Sequence, residues 1–208
     1  MPDWAIALDS WIVQDENYGD FSSGQRAEFA LEFEPEHDLE VSKEDAPSVR
    51  HLRDELYEVT ATVRHSDEEF SVIDFGLQAY AQHPPLPEGA TPGQSVKGTV
   101  GLGVDPFTYF EGLASLPGAP PLIYTWNVVS IRRQGAPWLK GQAAVECSGE
   151  VWSTAPTLIV NGELWVRDPK QWRWVEIDQT DAWNDDEGHA HYLLDCRLLS
   201  NEPPKRTR

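Results

Sequence analysis

Cysteine is nearly absent from this chain: Cys147 and Cys196 stand alone among 208 residues. Two thiols exclude a disulfide scaffold, and neither sits in a C-x-x-C or another metal-ligand spacing. Two buried free thiols are expected, with one disulfide as the alternative. Positive charge is also scarce, with 16 Lys and Arg against 35 Asp and Glu and a formal net charge of −19. Like charge repels a phosphate backbone, so broad electrostatic binding to nucleic acid or to an anionic membrane is disfavoured. No run approaches the roughly 18 apolar residues of a membrane span. The opening Met1–Asp9 has neither the positive n-region nor the apolar h-region of a signal peptide, so the expected compartment is the cytoplasm. There is no G-x-S-x-G elbow, no P-loop, no internal repeat and no low-complexity tract.

What is present is aromatic. Nine Trp, seven Phe and six Tyr in a chain that is 40% hydrophobic exclude disorder, and 208 residues suffice for a sizeable core. The acidity is concentrated early: between Met1 and Asp54 fourteen acidic residues face four basic ones.

Trp4–Val13 reads as a strand, Asp15–Gly24 as a turn-rich loop and Arg26–Phe33 as a second strand. Glu34–Asp45 lacks a hydrophobic period and reads as a linker or exposed loop. Ala46–Arg53 reads as one helical turn capped by Asp45. Tyr57–Val63 alternates cleanly, with Tyr57, Val59, Ala61 and Val63 on one face. Phe70–Tyr80 follows as a strand, then a loop with prolines at 84, 85, 87 and 92, then Ser95–Val104. The glycines at 98, 101 and 103 inside that strand suggest bulges or bends. Asp105-Pro106 is a helix start with Phe107, Phe110 and Leu113 on one face, and Leu122–Ile131 is a long strand. Beyond it lie a strand within Ala143–Trp152, an Asn161-Gly162 hairpin, Trp172–Ile177 and Ala190–Leu198. The fold class is therefore all-β, a barrel or sandwich of about ten mostly antiparallel strands with one short helix near 106–115. The expected organisation is an N-terminal part (1–54) joined to the same fold, a barrel block (55–133), a C-terminal meander (134–199) and a disordered tail (200–208).

The order strand, strand, strand, helix, strand over Leu56–Ile131, with Phe70–Gly76, ending in Ile73-Asp74-Phe75-Gly76, looking like its second strand, resembles the OB-fold. An SH3-like barrel or a β-sandwich fits the same pattern. The resemblance implies binding of single-stranded nucleic acid through aromatics on the second and third strands. The third strand carries no aromatic and only Lys97 as a base, so nucleic acid is not the expected partner.

Three function classes remain. The acidic segment, with Asp15, Glu16, Asp20, Glu34, Glu36, Asp38 and Glu40, suits a non-enzymatic module that binds a basic protein partner, as immunity-like or inhibitor-like proteins do. The C-terminal tryptophans, with Trp172, Trp174 and Trp183 foremost, suit a small-ligand or carbohydrate site. His189 and His191, spaced to share one strand face, could hold an ion with Asp185 and Asp186: Zn²⁺ if the imidazoles bind, Ca²⁺ if only the carboxylates do. That ion would serve a metal-dependent hydrolase; otherwise no cofactor is expected. Cys147, flanked by Glu146 and Glu150, is not activated as a nucleophile. Asp74, between apolar neighbours, reads as an outward-facing strand residue.

Overall fold

The computed structural model describes residues 3–44, 46–82, 86–87, 89–116, 119–140, 157–160, 163–168, 171 and 173–200. The protein is all-β. Strand β1 (Trp4–Asp9) runs into a short helix, α1 (Ser10–Gln14). Then come β2 (Arg26–Phe29), β3 (Leu31–Pro35), β4 (Glu40–Val41), β5 (Ser48–Arg53), β6 (Leu56–Ser66), β7 (Phe70–Asp74), β8 (Gln78–Gln82) and β9 (Ser95–Val104). Helix α2 (Thr108–Glu111) and a 3-10 turn (Leu113–Ser115) precede β10 (Tyr124–Gln134), β11 (Trp138–Lys140), β12 (Thr157–Val160), β13 (Glu163–Arg167), β14 (Trp174–Ile177) and β15 (His191–Ser200).

A closed barrel forms in the order β6-β7-β8-β3-β9 and back to β6, with β3 and β8 parallel and the other pairs antiparallel. Its fifth strand is the early β3 and not Leu122–Ile131, the strand expected to close it. That segment is β10, which pairs with β15 along one edge and with β2 and β14 along the other. The second layer, β14-β10-β15-β1, joins the barrel where Ala7 meets Gly103 in parallel. One core fills both layers: Ile6, Leu8, Phe33, Tyr57, Val100, Trp126 and Leu194 are all buried in it. Trp126 stacks on Phe29 with ring centres 5.5 Å apart. A smaller cluster packs Tyr109 and Leu113 against Phe70, Val72 and Tyr80, so α2 and its 3-10 turn cover the outside of β7 and β8. β11, β13 and β12 form a separate three-stranded sheet, and Val160 pairs with Glu163 as a two-residue hairpin requires.

Several expected elements differ, each for a local reason. Trp4–Val13 stops being a strand at Asp9, which holds extended dihedrals as the residue before α1. Arg26–Phe33 breaks at the buried Ala30, where the chain leaves β10 and enters the barrel. Ala46–Arg53 is the strand β5 over Ser48–Arg53 and not a helical turn; its hairpin with β6 turns at Asp54, whose φ of 45° an Asp tolerates. Glu34–Asp45 is no simple linker, because β4 pairs with β9 and Leu39 is buried against Gly98. A Cβ on Gly98 would stand 2.6 Å from Leu39 Cδ2, so this glycine marks a close approach and not a bulge. The helix expected from Pro106 begins at Thr108, after Phe107 with φ 71°.

Phe70–Tyr80 is two strands. Gly76 has φ 107°, and the Asp74 carboxylate accepts its N–H at 3.0 Å, a side-chain-closed turn. The other Asp74 oxygen accepts from Arg64 at 2.9 Å. A side chain at 76 must adopt a backbone that L-residues avoid, so Gly76→Ala is expected to lower stability by roughly 1 kcal/mol, read as a drop in the urea midpoint with an unchanged slope.

Candidate functional site

The C-terminal end of β10 builds a cleft. Gln134 pairs with Trp174, and the Gly135 N–H donates to the Arg173 carbonyl at 2.8 Å, so the β10–β14 ladder extends one residue past both strands. Pro137 ends it, and its carbonyl accepts the Asp168 N–H at 2.9 Å. The facing wall is the turn Asp185–Gly188. Asp186, Glu187 and Gly188 follow one another with φ of 54°, 58° and 83°, and a left-handed conformation in the two acids carries a strain cost on the order of 1 kcal/mol each. That turn swings two carboxylates onto β10 and β11. Asp185 pairs with Arg133 and accepts the Tyr192 hydroxyl at 2.9 Å. Asp186 accepts the Trp138 indole N–H at 2.9 Å.

The cleft between these walls has a volume of about 670 Å³, and Arg133, Gln134, Gln171, Arg173 and Asp186 line it. Gln134 is its anomaly. The residue is 1% exposed, and neither Nε2 nor Oε1 has a hydrogen-bond partner among the described residues. Shielding a carboxamide from water without partners costs about 1–3 kcal/mol. Beside it, Gly135 leaves room for the Arg173 side chain: a Cβ there would meet Arg173 Nε at 3.2 Å and Cγ at 3.3 Å. Arg173 is exposed, and among the described residues no carboxylate pairs with it.

A polar array on β1, β15, β10 and β14 continues from this cleft. His191 Nδ1 lies 2.6 Å from Asp9 Oδ1, and its ring centre is 5.8 Å from that of Trp174. The Trp174 indole donates to Asp54 at 2.6 Å, tying the second layer to the β5–β6 hairpin. The Arg132 guanidinium lies 5.8 Å from the Trp174 ring centre and holds both oxygens of Asp195 at 2.8 and 3.1 Å.

At the far side of the barrel, two acids are placed together. Asp105 is wholly buried and accepts the Tyr80 hydroxyl at 2.6 Å and the Tyr109 N–H at 3.1 Å. Burial raises its pKa. Burial, then the charges of Asp105 and Glu34, push Glu32 up to about 7, so this carboxyl can take and release a proton near neutrality. Burial, and then the Asp105 charge, also raise the hydroxyls of Tyr18 and Tyr80.

The residues singled out in the sequence are dispersed. Asp20 is structural: one of its oxygens accepts from Thr180 at 2.7 Å and from the Ala182 N–H at 2.9 Å. Asp15 and Glu16 follow α1, whereas Glu34 and Glu36 lie at β3, Asp38 just before β4 and Glu40 on β4. Glu36 pairs with Arg53 at 3.7 Å and Glu40 with Lys97 at 4.0 Å. Asp38, Glu40, Glu44 and Glu58 line a groove of about 510 Å³ along β9. Trp183 is 61% exposed, Trp174 is half-buried, and Trp172 lies outside the described residues. His189 sits in the turn before β15, so His189 and His191 do not share a strand face. Among the described residues no three His, Cys, Asp or Glu side chains converge as metal ligands. Cys196 is a buried thiol whose pKa burial raises; Cys147 and all of residues 143–152, where a strand was expected, the Asn161-Gly162 pair and residues 201–208 lie outside the described residues. No helix among the described residues is long and apolar enough to cross a membrane.

Gln134 and Arg173 were not candidates in the sequence, and nothing in the local pattern marks them. Asp105 was read only as a helix cap. No family model, no curated protein and no solved structure matches this chain.

Proposed function

We propose that this chain is a small-ligand-binding β module whose site is the cleft between the end of β10 and the Asp185–Gly188 turn. The observation that carries this reading is the Gln134 carboxamide, shielded from water and unpartnered beside a cavity large enough for a metabolite. A polar group held in that state destabilises the fold, and a ligand with matching donors and acceptors removes the penalty. Trp138 and Trp174 stand beside the cleft and report on its occupancy. The test is a thermal-shift screen of small acids, amides and sugars, followed by tryptophan emission. At least one class raises the melting temperature of the wild type and leaves Gln134→Leu unmoved. A ligand that shifts both proteins equally binds elsewhere and overturns the reading.

The acidic groove supports a second reading, the docking of a basic protein partner. Four carboxylates line it and Lys97 is the one cation among its described lining residues. Co-purification from native lysate is then salt-sensitive, because the attraction is screened. The variant Asp38→Lys/Glu44→Lys loses the partner; capture that ignores both salt and charge reversal contradicts it. For either reading we infer a cytoplasmic protein, where the Cys196 thiol stays reduced.

A further inference from the structure

We infer that helix α1 and the 181–189 turn form a docking surface for an arginine-bearing segment of a basic protein, with Trp11 and Trp183 as its anchors; this rests on the reading that the partner is basic. Tryptophan is mostly buried in folded proteins, yet Trp11 is 49% exposed and Trp183 61%. The two belong to one surface. Gln14 Nε2 donates to the Ala182 and Gly188 carbonyls at 2.7 and 2.8 Å, and the Ser10 hydroxyl donates to the same Gly188 carbonyl at 2.8 Å. The Ser10 N–H donates to the Ala190 carbonyl at 2.9 Å. Residue 188 is a glycine with φ 83°, and a Cβ there would stand 3.1 Å from Gln14 Nε2 and 3.5 Å from the Trp183 carbonyl oxygen, so the turn presses against the helix. α1 buries Ile12 and Val13 and leaves Trp11 exposed. Trp11 follows Ser10 and Trp183 follows Ala182, so both residues fall within the footprint of about 800 Å² that one protein partner covers.

Charge selects the partner. Residues 1–25 carry five acids and residues 174–196 seven, with neither a lysine nor an arginine in either stretch. Arg133 reaches the turn from β10 and is paired with Asp185. Asp15, Glu16 and Glu187 are exposed, and among the described residues no cation pairs with them. Asp15 lies one helical turn after Trp11, its N–H donating to the Trp11 carbonyl at 3.0 Å, so the carboxylate follows the indole along one face. Anions are repelled here, and a second copy of this chain brings the same acids, so neither covers the surface. A guanidinium answers both features: its face stacks on an indole while its N–H groups reach a carboxylate. Lysine suits the surface less, because its compact ammonium is more strongly hydrated. The surface is separate from the acidic groove. β1 runs parallel to β9 where Ala7 meets Gly103, which sets α1 beyond the end of β9, whereas the groove lies near its start at Lys97, Gly98 and Thr99.

The test is calorimetric titration of the full chain, at about 150 mM salt, with hexa-arginine and hexa-lysine, both acetylated and amidated. Hexa-arginine is expected to bind about 3- to 30-fold more tightly, the range for one or two exposed cation–π contacts. Trp11→Ala/Trp183→Ala abolishes that preference. Both positions are exposed, so the variant folds, and Trp11→Phe/Trp183→Phe, which keeps the aromatic faces, retains part of it. The indole N–H resonances of Trp11 and Trp183, assigned by their loss in the Phe variants, move on addition of hexa-arginine. Equal binding of the two peptides, or an unchanged preference in the Ala variant, overturns the assignment. If hexa-arginine binding is lost in Asp38→Lys/Glu44→Lys and kept in the Ala variant, the groove is the docking surface: the basic-partner reading stands and the tryptophan surface falls. Movement of the two indole resonances with cellohexaose and not with hexa-arginine makes the surface a sugar platform and also overturns it. Absence of binding by either peptide up to about 1 mM removes the surface and the basic-partner reading together.

Discussion

Glu32→Gln is expected to stabilise the protein by about 2 kcal/mol near pH 8 and to leave it unchanged near pH 4. The folded state holds this carboxyl near 7 against an ordinary 4.5, because burial and the charges of Asp105 and Glu34 oppose its ionisation. The folded protein therefore binds the Glu32 proton more tightly than the unfolded chain does. Stability falls as pH rises from about 4.5 to about 7, and the whole cost is present above that window. Full shielding would make that cost about 3 kcal/mol; Glu32 is partly reached by solvent, which brings it nearer 2. At about pH 5 roughly a quarter of the difference remains. Glutamine is the neutral isostere and never ionises, so the variant lacks this slope, while the buried Asp105 retains its own. Urea unfolding of both proteins across that range checks the account. Parallel pH profiles would show that Glu32 ionises as easily folded as unfolded.

Gln134→Leu is expected to raise stability by about 1–3 kcal/mol without ligand, or several degrees in melting temperature for a chain of this size. Removing one partner of a satisfied hydrogen bond destabilises a protein, whereas replacing a wholly unpartnered buried amide with an apolar group of similar volume relieves a penalty. The sign of the change is therefore diagnostic. A loss of stability would mean that the carboxamide has partners in solution. A gain, joined to loss of ligand response, is the signature of a position kept polar for binding.

Much of the fold was legible because period-two alternation is a local property. Tyr57, Val59, Ala61 and Val63 point inward as their spacing requires, and the β12–β13 hairpin forms where Asn-Gly sits between two apolar runs. The β7–β8 turn was missed: Asp74-Phe75-Gly76 combines a side-chain acceptor with a residue free to adopt positive φ, but the apolar residues around it make Phe70–Tyr80 read as one strand. Barrel closure was not legible. β3 joins β8 and β9 across long stretches of chain, and Ala30, where β2 gives way to β3, carries no turn signal.

The site was legible only at its rim. Asp185 and Asp186 stood out for their charge, and the structure spends them on Arg133, Tyr192 and Trp138. Arg173 reaches the cleft beside Gly135 because β14 runs back along β10, a long-range pairing with no local pattern. The same holds for Glu32 and Asp105, which meet only through the barrel, where β3 and β9 lie side by side.

The most direct test is the side-chain amide resonance of Gln134 in a ¹H–¹⁵N spectrum, assigned by its loss in Gln134→Leu. The account predicts a pair at the position of a non-hydrogen-bonded carboxamide in the apo protein, moving downfield on addition of a small acid, amide or sugar that raises the melting temperature, while other glutamine pairs stay in place. A Gln134 pair already at a hydrogen-bonded shift, and unmoved by ligand, would contradict it.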